Sequence, residues 1–145
     1  MPDLADDLKR VPLFSGLNQR QLRKLARGFK ERSYGPGITI VREGEMGGIG
    51  FFVIAAGEAS VSVDGRVLAK LGAGDHFGEL AMISEQVRGA TVTADTDLRC
   101  LVIAFWDFRK FAKENPDVSW KLLQHLVNVL MEDRARRAQA FIQTS

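Results

Sequence analysis

Cysteine, histidine and long apolar runs are scarce in this chain of 145 residues. Its single cysteine, Cys100, cannot form an internal disulfide, which favours a reducing compartment such as the cytoplasm. No apolar run approaches the ~20 residues that a membrane-spanning helix needs, and residues 1–10 contain no apolar signal core. We therefore expect a cytoplasmic protein without a membrane partner.

The sequence also has no large excess of either charge and no set of metal ligands. Its net charge of +2 is too small to indicate a nucleic-acid partner. A metal site needs several converging histidine or carboxylate ligands, whereas only His76 and His125 are present. We interpret His76 as a turn residue and Cys100 as a small core residue. No nucleophile motif is recognisable, so we expect no enzyme activity, no metal and no cofactor.

Residues 1–30 have a helical pattern. A first helix is indicated by apolar residues spaced four and three apart, namely Leu4, Leu8 and Val11. A break follows at Leu13 to Gly16. A second helix, capped by Asn18 or Gly16, is predicted to carry Leu22, Leu25 and Phe29.

Residues 31–104 contain short β-like runs separated by turn signals. The runs are Ile38–Val41, Phe51–Ile54, Ala59–Val63, Val67–Leu71, Ala90–Thr93 and Leu98–Ile103. Asp64-Gly65, between the third and fourth of these runs, is a strong hairpin signal. This even spacing predicts an antiparallel sandwich, roll or barrel.

Residues 105–145 return to a helical period. A helix carrying Phe108 and Phe111 should end before Asn115-Pro116, where asparagine as N-cap and proline at the first position start another helix. This last helix is predicted from Asp117 to about Phe141. Its apolar residues exceed one packing face, and they are Trp120, Leu122, Leu123, Leu126, Val127, Val129, Leu130 and Met131.

The segment 77–91 carries the chemistry. A glycine beside a short helix start lets backbone N–H groups approach an anion, and Arg88 offers a planar fork of donors for phosphate oxygens. Glu79 accepts hydrogen bonds when ionised, which suits a ribose hydroxyl. From the residues alone this indicates a nucleotide-like ligand only weakly, because a glutamate and an arginine this close in sequence more often form a structural ion pair.

The same segment resembles the phosphate-binding cassette of cyclic-nucleotide-binding domains. That cassette runs Phe-Gly-Glu-Leu/Ile-Ala-Leu and, several residues later, Pro-Arg-x-Ala. Here Phe77-Gly78-Glu79-Leu80-Ala81-Met82 is followed, after five residues, by Arg88-Gly89-Ala90-Thr91. Leu13-Phe14-Ser15-Gly16-Leu17 is similar to the family's N-terminal helical signature, so the resemblance covers nearly the whole chain.

The resemblance implies a mainly β fold, an eight-stranded antiparallel, jelly-roll-like β-roll with N-terminal helices and a long C-terminal helix. The chain would be one domain with helices in 1–30 and 105–145 around a roll in 31–104. Arg88 and the backbone N–H groups of Gly89 and Ala90 would bind the cyclic phosphate, and Glu79 the ribose 2′-hydroxyl. The ligand-binding set would comprise Phe77, Gly78, Glu79, Leu80, Ala81, Arg88, Gly89 and Ala90.

Two positions depart from the family pattern. Val87 replaces a common proline, which should loosen the approach to Arg88 without removing a contact. Gly89 stands where cGMP-selective members tend to carry a threonine whose hydroxyl reads guanine. Without that hydroxyl, we expect cAMP as the ligand, with cGMP as the alternative.

In this family the last helix or a later segment usually covers the purine. By position, Leu130 is a candidate cover, Asp133 a candidate acceptor for the adenine amino group, and Arg134 a further base contact. For Asp133 and Arg134 a solvated helix face is the simpler interpretation.

We expect a non-enzymatic sensor that transmits cyclic-nucleotide occupancy through the last helix. The competing hypothesis is an interaction module of the same fold that no longer binds nucleotide. Leu123, Leu126 and Leu130 are spaced like a short coiled-coil seam, which predicts a homodimer, although an effector protein would cover the same residues. The sequence leaves open whether the chain is a stand-alone sensor or part of a larger protein.

Overall fold

The computed structural model describes residues 4–44, 50–77 and 90–144. The helices are α1 (Leu4–Lys9), a 3₁₀ turn (Pro12–Phe14), α2 (Gln19–Ala26), α3 (Phe105–Glu114) and α4 (Pro116–Thr144). The strands are β1 (Phe29–Tyr34), β2 (Thr39–Val41), β3 (Gly50–Ala56), β4 (Ala59–Val63), β5 (Arg66–Leu71), β6 (His76–Phe77), β7 (Thr91–Ala94) and β8 (Leu98–Ala104).

In the described ranges the strands form two antiparallel sheets of four. Sheet A has the order β1-β8-β3-β6, and sheet B the order β2-β7-β4-β5. The helices precede and follow this β-roll in the chain. The fold class predicted from the resemblance is therefore confirmed.

Sheet A separates two hydrophobic cores. Phe51 and Val53 of β3 face a core built with the helices, whereas Phe52 and Ile54 face a core inside the roll. Because successive side chains of a strand point to opposite faces, both faces of β3 must be apolar. This explains why its run Gly50–Ala55 is buried without the usual alternation.

Two turn predictions are confirmed in detail. Asn18 caps α2 through a capping box, in which its side chain accepts from the Gln21 N–H and the Gln21 side chain accepts from the Asn18 N–H. Asp64 and Gly65 connect β4 to β5 with φ of 52° and 77°. Positive φ at both central residues gives the turn a twist that suits a two-residue hairpin.

Phe29 is a correction, because it was predicted to lie on the second helix. That helix, α2, ends at Ala26, and Phe29 begins β1, paired with Ile103 of β8. The buried Phe29 ring still packs in the helical core, 6.4 Å from the ring centroid of Phe51. The helical spacing of Phe29 from Leu25 was therefore accidental.

The junction of α3 and α4 lies where the sequence places it. α3 ends at Glu114 and α4 begins at Pro116. The Asn115 carbonyl accepts from the Val118 and Ser119 N–H groups, while its side-chain amide donates to the Phe111 carbonyl at 2.9 Å. Asn115 thus hydrogen-bonds to both helices.

The first turns of α4 are fixed to the N-terminal helices. Val118 and Leu122 are buried in the helical core. Lys121 Nζ donates to the Gly16 carbonyl at 2.8 Å. Leu126 also packs partly against this core, so its predicted place in an outward seam is wrong.

Candidate functional site

In the sequence, the predicted cassette lies between the end of β6 and the start of β7. Phe77 ends β6 at the edge of sheet A, and Thr91 starts β7 in sheet B. Since β6 pairs with β3 through Phe52 and Phe77, the connection from β6 to β7 must pass from one sheet to the other.

Phe77 anchors the entrance to this segment. It is 7% exposed, and its ring stacks on Phe52 with centroids 4.7 Å apart and an interplanar angle of 4°. Aromatic pairs with such overlap contribute stability beyond the area they bury. The first residue of the predicted site is therefore part of the roll core.

Thr91 fixes the exit from the segment, next to the half-buried Ala90. Its hydroxyl Oγ1 accepts from the Glu43 N–H at 3.0 Å, and Glu43 Oε1 in turn accepts from the Asp64 N–H at 2.9 Å. The end of the cassette is thus connected to the turn after β2 and to the β4–β5 hairpin. Sequence reasoning identified the Asp64-Gly65 turn but not these connections.

Of the predicted ligand-binding residues, Phe77 and Ala90 belong to the part that the structure describes, and they border residues 78–89 on either side. The remaining six lie outside the described residues and stay predictions: Gly78, Glu79, Leu80, Ala81, Arg88 and Gly89.

The predicted base contacts lie on α4. Leu130 is 51% exposed and Arg134 is exposed, whereas the side chain of Asp133 lies outside the described residues. Neither Leu130 nor Arg134 is buried within its own chain. Their assignment to the purine stays a prediction.

His76 is a further correction, because it was interpreted as a turn residue. It lies on β6, paired with Val53, and its ring centroid is 5.3 Å from that of Phe51. This position makes it part of sheet A. Over the described ranges there is no cluster of three or more metal-ligating side chains.

Cys100 is confirmed as a core residue. It is fully buried on β8, and burial raises the pKa of its thiol to about 12. A thiol is a nucleophile only as its thiolate, so at neutral pH Cys100 is chemically inert. Among the helices of the described part, none combines the length and hydropathy of a membrane span.

Comparison with protein families decides what this fold and motif represent. Residues 31–115 match the family described as the cyclic nucleotide-binding domain. This range covers more than half of the chain and includes the whole segment 77–91. The chain belongs to the cyclic nucleotide-binding domain family.

This cyclic nucleotide-binding domain is similar to parts of proteins of different kinds, namely a kinase regulatory subunit, a potassium channel and a kinase. It is 37% identical over 105 residues to a cAMP-dependent protein kinase regulatory subunit of Yarrowia lipolytica, covering 71% of this chain and 28% of that protein. It is 35% identical to a cyclic nucleotide-gated potassium channel of Rhizobium etli, covering 75% and 30%. With a cGMP-dependent protein kinase of Toxoplasma gondii the identity is 33%, covering 66% and 10%. The chain therefore spans less than a third of each of these relatives.

Solved structures agree with the cyclic nucleotide-binding domain fold. The N-terminal domain of a transcriptional regulator from Streptomyces coelicolor A3(2) superposes with a TM-score of 0.79 at 29% identity, covering 91% of this chain and 95% of that one. The catabolite activator protein of Thermus thermophilus gives 0.78 at 28% identity, covering 89% and 62%. The regulatory domain of Toxoplasma gondii PKA, solved with cAMP, gives 0.68 at 28% identity, covering 83% and 48%.

Proposed function

We propose that this cyclic nucleotide-binding domain is a non-catalytic cAMP sensor. The observation that carries the proposal is the match of residues 31–115 to the family, because that range contains Glu79 and Arg88 in the cassette pattern. The family resemblance assigns the carboxylate to the ribose and the arginine to the cyclic phosphate. Phe77 and Thr91, which the roll holds in place, support the positioning of the segment between them.

The preference for cAMP rests on Gly89, which offers no hydroxyl to a guanine. The relatives' names include both cAMP-dependent and cGMP-dependent proteins. The names therefore support a cyclic nucleotide as the ligand but do not distinguish cAMP from cGMP. Calorimetric titration of the chain with cAMP and with cGMP is the direct test. Saturable cAMP binding tighter than cGMP binding is expected.

Replacing Gly89 by threonine should narrow or invert this preference. One added hydrogen bond contributes about 1 kcal/mol, so cGMP affinity should rise roughly fivefold, while cAMP affinity changes little. Competition titration of both nucleotides on the parent chain and on Gly89→Thr measures the change. Gly89→Ala is the matched control, because it adds a side chain without a hydroxyl.

A parent chain that already prefers cGMP would contradict the argument, since guanine would then be recognised elsewhere. Equal effects of Gly89→Ala and Gly89→Thr would also contradict it, because the backbone and not the hydroxyl would be responsible.

Transmission through α4 is the second part of the proposal. A ligand shifts a conformational equilibrium only if it binds one state better than the other. The first turns of α4 are held by Val118, Leu122 and Lys121, whereas Leu130, further along, is half exposed. The exposed part of α4 is therefore available to contact a bound nucleotide, as the family resemblance implies for Leu130.

The alternative is an interaction module that keeps the roll but no longer binds nucleotide. The presence of both Glu79 and Arg88 favours the sensor, because a lapsed site has no need of this pair. The calorimetric titration distinguishes the two, since a module would release no heat with either nucleotide.

For a macromolecular partner, we propose a second copy of this chain bound through α4. Four exposed apolar residues, the α4 stripe, follow a three-four-three spacing, namely Trp120, Leu123, Val127 and Leu130. This spacing keeps them on one helix face and is that of a coiled-coil seam. It replaces the predicted seam, because Leu126 turns toward the chain's own core.

The double substitution Leu123→Glu and Val127→Glu should abolish this dimer. Carboxylates facing each other across a seam would repel and lose apolar burial, a loss of several kcal/mol. Sedimentation velocity at micromolar concentration, with and without cAMP, should show a dimer for the parent chain and a monomer for the variant. Gln124→Glu with Asn128→Glu is the matched control, because both residues are exposed on the same helix but outside the stripe. A parent chain that sediments as a monomer in both conditions would contradict the dimer.

A further inference from the structure

The first residue of β7, Thr91, is held from both sides of its strand. In sheet B, β7 lies between β2 and β4, and Thr91 pairs with Ser62 of β4. On the other side, the pairing of β2 with β7 extends to Val41 and Val92. The Glu43 N–H continues this connection toward the cassette by donating to the Thr91 hydroxyl at 3.0 Å.

The side chain of Glu43 connects this contact to the strand on the far side of β7. Its atom Oε1 accepts from the backbone N–H of Asp64 at 2.9 Å. Asp64 begins the turn that follows β4, and this turn is closed by the pair of Val63 with Arg66. Glu43 is half-buried and thus hydrogen-bonds to β7 through its backbone and to the β4–β5 hairpin through its carboxylate. The hairpin contact restrains the position from which the Glu43 N–H reaches Thr91.

Thr91 directly follows a residue of the predicted ligand site. The family resemblance assigns the backbone N–H of the half-buried Ala90 to the cyclic phosphate. Because Ala90 is covalently joined to Thr91, restraints on Thr91 limit the conformations of Ala90. A donor that is already ordered binds its ligand more tightly, since a donor that must be ordered during binding reduces the affinity.

We propose that Glu43 is a positioning residue for the cyclic nucleotide, which acts through Thr91 on Ala90. This inference rests on the proposed function, in which Ala90 binds the phosphate. The two hydrogen bonds of Glu43 act in series. Loss of the bond to the Asp64 N–H releases Glu43 from the hairpin, and loss of the Thr91 hydroxyl releases Thr91 from Glu43. Either loss therefore interrupts the same connection.

The test is a double-mutant cycle on cAMP affinity, measured by calorimetric titration. Glu43→Ala and Thr91→Val should each weaken cAMP binding by roughly fivefold, as expected for the loss of one hydrogen bond. The double variant should bind cAMP no more weakly than the weaker of the two single variants, because the two bonds act in series. Independent sites would instead give a combined loss of about twenty-five-fold.

Two controls separate positioning from charge and from stability. Glu43→Gln removes the charge but keeps an oxygen acceptor for the Asp64 N–H, so its cAMP affinity should stay within about twofold of the parent chain. Thr93→Val removes a hydroxyl from the same strand two residues further on, where Thr93 Oγ1 lies 3.4 Å from Thr39 Oγ1. This variant should keep the cAMP affinity of the parent chain, whatever loss of stability urea unfolding shows.

A measurement without ligand separates this inference from the proposed function. Hydrogen exchange followed by NMR should show that the amides of Ala90 and Thr91 exchange faster in Glu43→Ala than in the parent chain, while the amide of Thr93 is unchanged. If the parent chain binds no cAMP, the proposed function fails, and the exchange rates still decide the role of Glu43. Unchanged exchange at Ala90 and Thr91 would overturn the inference. Equal cAMP affinities of Glu43→Ala and Glu43→Gln, or losses that multiply in the double variant, would also overturn it.

Discussion

Replacing Arg88 by alanine is expected to weaken cAMP binding more than tenfold while leaving the fold intact. The family resemblance assigns Arg88 to the cyclic phosphate, whose negative charge would lose its main partner. Removing one member of a buried charge pair costs roughly 2–5 kcal/mol, and each 1.4 kcal/mol is about a factor of ten in affinity. Calorimetric titration with cAMP measures the loss.

Two further variants make this result specific. Arg88→Lys keeps the charge but loses the planar fork of donors, so its affinity should fall between those of the parent chain and Arg88→Ala. Arg66→Ala removes an arginine from the exposed strand β5 and should change nothing. Unchanged cAMP affinity in a folded Arg88→Ala would remove Arg88 from the site.

Gly57→Ala should destabilise the whole domain by about 3 kcal/mol or more. Gly57 follows β3 with φ of 95°, a conformation that residues with a side chain rarely adopt. A β-carbon at this position would overlap the carbonyl oxygen of Asp97 and press against the Leu98 backbone. The obstruction is backbone and cannot rotate away, so strands β3 and β8 would have to separate locally. Urea unfolding measures the fall in the free energy of unfolding.

Gly37→Ala is the matched control, because Gly37 has φ of 85° but no atom within 4 Å of a β-carbon built on it. It should lose only the conformational term, about 1–2 kcal/mol. If the two variants unfold at the same urea concentration, the close approach at Asp97 contributes nothing.

The strands that sequence reasoning missed are those without a recognisable period. β1 runs Phe-Lys-Glu-Arg-Ser-Tyr, and only Phe29 of its six residues is fully buried. It is an edge strand in which the four residues from Lys30 to Ser33 are exposed, so it shows no alternation. Its partner β8 lies about seventy residues further along the sequence, where Arg99 bridges Glu31 and Asp7 at 2.8 and 3.4 Å. Contacts over such distances have no signal in local patterns.

The predicted position of Leu126 in the α4 seam was wrong for a different reason. Leu126 fits both a heptad with Leu123 and Leu130 and the inward face that begins with Val118 and Leu122. A helix apolar on two faces offers both assignments, and only packing against the N-terminal helices distinguishes them.

The prediction of the candidate site rested more on the family motif than on the physical chemistry of its residues. Glycine, glutamate and arginine in segment 77–91 suggest an anion or a sugar, but the ligand class came from the resemblance, which the family match confirms. The connection from Thr91 to Glu43 and Asp64 was beyond prediction, because it joins the start of β7 to two turns that are distant in the sequence.

The position of β3 between the two cores has a consequence for how this sequence can diverge. In a strand with one solvent-exposed face, every second residue can be substituted freely. This holds for β5, because most of its positions are exposed. In β3 neither the odd nor the even positions face water, since Phe51 packs toward the helices and Phe52 toward the roll. A polar replacement at any position from Phe51 to Ile54 would bury an unsatisfied group. Drift in this strand is therefore confined to exchanges among apolar residues of similar volume.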